Sequence, residues 1–176
     1  MTPFAKKQLI VLLLTGCFSG IVPQVKAQRL FFIYAHGLYA SPVDKNFKNG
    51  YNSGPGIEGG AAIGWGKTFI VGTVGYTSFS DKDNNTTGST KYVPVKLGLR
   101  QYIFLKKIYV HGDLGIGRIK NNLYNNQSRF SGDVGVGAKL AGFEVQLDYD
   151  GFTRKSPEPS GYSSWIGVKA GFNFGL

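Results

Sequence analysis

From Arg29 onward the chain alternates apolar and polar positions with a period of two, in segments separated by turn-forming residues. That is the rhythm of an all-β meander. The pattern predicts strands over 30–40, 54–64, 68–80, 90–104, 108–119, 128–140, 142–153 and 161–175, and no helix. In the last segment Tyr162, Ser164, Ile166, Val168, Ala170, Phe172 and Phe174 share one face, opposite Ser163, Trp165, Gly167, Lys169, Gly171 and Asn173. The seventh sets Phe143, Val145, Leu147 and Tyr149 against Glu144, Gln146, Asp148 and Asp150. The first three segments leave their phase open, because Leu30–Tyr34 is apolar on both parities and Thr68–Ser80 has no charge to mark a wet side.

The connectors alternate in length. Ser41–Ser53, Ser80–Ser89, Lys120–Gln127 and Arg154–Ser160 are long and polar, whereas Trp65–Lys67, Leu105–Lys107 and Ala141 are minimal. Transmembrane barrels have this asymmetry, with short turns on one rim and long loops on the other.

Alternation cannot say which face meets solvent, but three features choose lipid for the apolar one. The polar face is rich in glycine (Gly98, Gly115, Gly117, Gly135, Gly137, Gly167, Gly171), as a crowded lumen requires. Aromatic rings fall toward strand ends on the apolar face (Phe130, Tyr149, Tyr162, Phe172, Phe174), where a membrane interface favours them. No charge interrupts the apolar face in mid-strand from the fourth segment on. The expected fold is therefore an eight-stranded antiparallel up-and-down transmembrane β-barrel, closed because hydrocarbon offers no partner to a free strand edge.

The inward parity holds Glu58, Asp113, Asp133, Glu144, Asp148 and Asp150 against Lys96, Arg100, Arg129, Lys139 and Lys169, with His111 two residues from Asp113. In a lumen barely wide enough for side chains, unpaired charges are strongly disfavoured. These twelve residues are expected to form a cross-lumen network that plugs the barrel. His111 falls near the short-turn rim and reads as a network member rather than a catalytic base; no catalytic residue is expected.

The first residues change the picture of charge and destination. Lys6 and Lys7 precede apolar Leu9–Leu14, and Val25-Lys26-Ala27 offers small residues around a cleavage point, the layout of a secretory signal peptide. The expected organisation is a cleaved signal over 1–27 and a barrel over 28–176. Leu14-Thr15-Gly16-Cys17 also resembles a lipobox, leaving lipoprotein processing as an alternative. Cys17 is the one cysteine, so removal of the leader would leave no disulfide and no thiolate chemistry. The leader takes three of the 20 basic residues with it, lowering the formal charge from +10 to +7. The remaining basic residues are scattered rather than clustered, which argues against a nucleic-acid partner. Two histidines and no cysteine make a metal site unexpected, and no phosphate loop or cofactor motif is found.

The ending Lys169-Ala170-Gly171-Phe172-Asn173-Phe174-Gly175-Leu176 is similar to the signal that small eight-stranded outer-membrane barrels of Gram-negative bacteria present to the insertion machinery, with Gly171, Phe172, Phe174 and Leu176 as its marks. Those barrels typically end in Phe rather than Leu. Together with the Gly-rich alternation over 28–176, the chain resembles the OmpA-, OmpX- and OmpW-like group. The resemblance implies an outer-membrane location, envelope integrity or adhesion through loops, and contact with lipopolysaccharide and the insertion machinery. An extracellular partner would meet the long loops, Pro42–Asn52 above all. A lipid A-modifying enzyme, a narrow pore and a soluble periplasmic barrel remain the alternatives, although the His-x-Ser-Asn arrangement of the deacylases is missing.

Overall fold

In the computed structural model, period-two alternation becomes eight antiparallel strands: β1 (Phe31–Pro42), β2 (Gly54–Trp65), β3 (Thr68–Phe79), β4 (Thr90–Phe104), β5 (Ile108–Lys120), β6 (Gln127–Leu140), β7 (Phe143–Thr153) and β8 (Tyr162–Gly175). The structure describes residues 31–82, 88–122, 126–154 and 161–175; the leader with Cys17 and the cleavage point after Ala27, stretches of three long loops, and Leu176 lie outside them. Each strand pairs with its neighbour in sequence, and β8 returns to β1 in a register running from Phe32↔Gly175 to Pro42↔Trp165, closing the barrel. Closure leaves no strand edge to be desolvated without partners.

The short turns place residues at positive φ. β6 and β7 are joined by Ala141 (φ 49°) and Gly142 (φ 88°), the paired left-handed positions that match the twist of a two-residue hairpin.

One element departs from the sequence expectation of no helix. The first long loop contains α1 (Lys45–Gly50), whose N-cap Asp44 accepts a hydrogen bond from Phe47 N–H at 3.1 Å. A six-residue helix has room for only one buried apolar residue, Phe47, so no helical periodicity can show. So short a helix is marginal alone; this one is held by Phe47 packing into the barrel mouth and by Arg154 against Asp44 at 3.3 Å.

The apolar parity faces outward. Leu97 is 64% exposed and Val134 60%, while their neighbours Lys96 and Asp133 are buried. The open phase of the first strands resolves with Phe32, Tyr34, His36, Glu58, Ala62, Phe69, Val71 and Thr73 inside and Ile33, Ile57, Ile63, Ile70 and Val74 outside. Outward aromatic residues gather at both rims: Phe31, Trp65, Phe104, Phe143, Phe172 and Phe174 near the short turns, and Tyr39, Tyr76, Phe130 and Tyr149 toward the long loops. Between them lies an aliphatic belt, the profile of a wall in a bilayer.

Substituting Leu97 or Val134 with Arg should lower the unfolding free energy in lipid vesicles by about 2–4 kcal/mol, read from urea titration. A negligible shift would mean that this face does not meet hydrocarbon.

Candidate functional site: the lumen

Inward-facing side chains fill the barrel in three layers. At the short-turn mouth Phe32, Tyr34, Phe69, Tyr102 and Tyr109 pack with Ala62 and Val71. At the long-loop mouth Phe47 from α1 joins Phe79, Tyr92, Ile119, Phe152 and Trp165, with ring centroids of Phe47 and Phe79 5.0 Å apart. Between these apolar layers the charged residues form a continuous chain.

Arg100 Nη1 lies 3.0 Å from Glu144 Oε1, and His36 Nε2 lies 3.2 Å from the same oxygen. The other His36 nitrogen points toward Glu58 at 3.7 Å. Lys169 Nζ bridges Glu58 (2.6 Å) and Asp148 (2.7 Å). His111 joins Asp148 through Nε2 (2.8 Å) to Asp113 through Nδ1 (2.7 Å). Lys96 Nζ closes the sequence between Asp133 (2.6 Å) and Asp150 (2.7 Å). Moving one such ion out of water costs several kcal/mol, which is repaid only where each charge meets an opposite one in good geometry.

Arg129 and Lys139 sit at the two mouths. Arg129 donates to Gln127 Oε1 at the long-loop end, and Lys139 donates to Asn173 and lies over the Phe32 ring at the short-turn end. His111 is separated from the short-turn mouth by Tyr109, whose ring is 6.2 Å from the imidazole.

Several members were not legible as such. His36 lay in a strand of open phase. Tyr109 Oη, 2.6 Å from Glu144 and 2.8 Å from Gln146, and Asn173, which donates to Glu144 at 3.0 Å, have side chains whose type does not announce an ionic role. Their inward parity was the available signal. Arg100 is further held by rings, its guanidinium carbon 4.1 Å from the centre of Tyr109.

Glycine makes room for the network. A Cβ on Gly98 would stand 2.1 Å from Asp113 Oδ1, and one on Gly135 2.1 Å from Asp148 Oδ1 and 2.5 Å from His111 Nε2. A lumen cavity lined by Glu58, Arg100, His111, Asp113, Asp133 and Lys169 among others is about 10 Å³, the space of roughly one water. Among the described residues no hydroxyl partners either histidine, so neither imidazole is paired with a nucleophile.

Of the sequence-marked insertion residues, Gly171, Phe172 and Phe174 lie on the closing strand. Phe172 and Phe174 face outward and stack on each other at 6.1 Å, Phe143 meets Phe172 edge-on, and Gly171 packs against the β1 backbone.

No protein-family model matches the chain, and no curated protein matches its sequence. Solved structures do. The crystal structure of Neisserial surface protein A superposes with a TM-score of 0.58 at 14% identity, covering 83% of this chain and 97% of that one. The Yersinia pestis outer membrane protein Ail in a phospholipid bilayer nanodisc gives 0.54 at 16%, covering 84% and 100%. At such identity the likeness is one of fold.

Because Glu144 meets Arg100, His36, Tyr109 and Asn173 at once, Glu144→Gln should destabilise the barrel by about 3–5 kcal/mol by stranding a buried guanidinium. The change can be followed in vesicles through the fluorescence of buried Trp165 during urea unfolding. In wall, closure and filled interior, the chain has the fold of the small eight-stranded outer-membrane β-barrels.

Proposed function

We propose that this protein is a structural and interaction protein of the outer membrane: a sealed barrel that anchors its long-loop end at the cell surface. The observation behind this reading is the filled lumen, an ion-paired middle between two aromatic layers. A barrel of eight strands has an interior about wide enough for side chains alone. The wall is then an anchor, and chemistry with partners falls to the rims.

The long-loop rim is basic. Lys45, Lys48 and Lys82 are exposed on its loops. Lys91 and Lys120 are cross-strand partners, with Arg118 beside them opposite Val93, all directed outward where lipid headgroups begin. Such a cluster suits the phosphates of lipopolysaccharide. In the same reading Gly171, Phe172 and Phe174, with Leu176, form the signal for the insertion machinery.

The purified protein in planar bilayers should give no unitary conductance steps; reproducible steps would replace this reading with a narrow pore. Lipid A from cells with and without the protein should have the same mass spectrum, whereas a protein-dependent loss or gain of an acyl chain would point to an enzyme. Lys91→Glu combined with Lys120→Glu should lower the lipopolysaccharide that co-purifies with the barrel while leaving its folded gel mobility unchanged.

A further inference from the structure

The register sets Asp113 opposite Asp133 across β5 and β6, and Asp133 opposite Asp150 across β6 and β7, so three carboxylates stand abreast on the inner wall. Like charges directly opposite each other destabilise a sheet. Lys96 serves Asp133 and Asp150, and His111 serves Asp113 at 2.7 Å and stands 3.3 Å from Asp133 Oδ1, yet each aspartate keeps one buried oxygen, Oδ1, with no hydrogen-bond partner. An orphaned buried carboxylate oxygen is costly, and three in a row call for added positive charge. All three residues are more than nine-tenths buried, so bulk water does not supply the missing partners.

We propose that His111 Nδ1, Asp113 and Asp133 bind one divalent transition-metal cation, of the Zn²⁺ or Mn²⁺ type, inside the barrel. Their donor atoms all lie within 4.8 Å of one another. Two ligands each ~2.1 Å from a tetrahedral metal stand roughly 3.4 Å apart. Asp133 Oδ1 is already 3.3 Å from His111 Nδ1, and Asp113 Oδ2, at 2.7 Å, need only draw back. The imidazole is already turned to present Nδ1 to a cation. Its Nε2 faces Asp148 Oδ1 at 2.8 Å, so a proton donated there leaves the Nδ1 lone pair for the metal. Metal-bound histidines are commonly fixed by such a carboxylate. Asp148 is in turn held by Lys169 and Asp133 by Lys96, which places the supporting charges around the site. The cavity of about 10 Å³ beside these three residues offers room for one water as a further ligand. One imidazole with carboxylates is a mixed set that favours zinc or manganese over soft cuprous ion or large calcium. Both carboxylates come from the strand wall, paired across β5 and β6.

Both mouths are closed by aromatic layers, so the cation enters as the barrel closes. The test is to refold the protein from urea into detergent with Zn²⁺, strip free metal with a chelator on a desalting column, and count zinc by mass spectrometry. Wild type should retain about one zinc per barrel, while His111→Gln and Asp113→Asn fall to about a tenth of that at unchanged folded gel mobility, and Lys120→Glu on the outer wall stays near wild type. Retention of no zinc by wild type, or equal retention by Asp113→Asn, would overturn the proposal. X-ray absorption at the zinc edge of the wild-type sample decides independently of how the variants fold: one imidazole with oxygen neighbours supports the site, and an all-oxygen shell sinks it.

Discussion

A backbone that crosses hydrocarbon must satisfy every N–H and C=O within itself, and in this chain that demand sets everything else. Eight strands meet it by pairing β8 with β1. Once the sheet is closed, alternation sorts side chains into those that meet lipid and those that meet one another in a tube with almost no spare volume. Outside, the apolar parity is dissolved by the bilayer. Inside, the polar parity has no solvent to turn to, so its charges must find partners across the lumen.

The network shows how that is done. Arg100, Glu144, His36, Glu58, Lys169, Asp148, His111 and the aspartates around Lys96 follow one another with each carboxylate set against a basic side chain. The aromatic layers at the two mouths surround the network with apolar side chains, and a low local dielectric strengthens each attraction and also raises the cost of any charge left over. The aspartate row across β5, β6 and β7 is where that cost is concentrated, and it is also where an imidazole and free carboxylate oxygens converge. Balance in the rest of the lumen makes this imbalance chemically meaningful.

A filled interior leaves the remaining charged side chains at the rims. α1 illustrates the exchange: Phe47 is committed inward to the plug, while the flanking Lys45 and Lys48 are left outside. The loop named in sequence as the main contact surface is thus a cap on its inner side and a charged surface on its outer one.

Strand number, boundaries to within a residue or two, and the inward identity of Lys96, Asp133, Glu144 and Lys169 could be read from the chain alone, because a period-two pattern maps directly onto two faces. The phase of β1 could not, since Phe31–Tyr34 is apolar on both parities, and only pairing with β2 and β8 turned Phe32, Tyr34 and His36 inward. α1 was invisible because its one buried residue needs the mouth of a finished barrel to pack into. Most of all, which charge meets which depends on how closure brings strands distant in sequence face to face. Lys169 and Glu58 are 111 residues apart in the chain and 2.6 Å apart in the lumen. Alternation is a local property and was legible; partnership across the tube belongs to the closed sheet, and only the tertiary structure decides it.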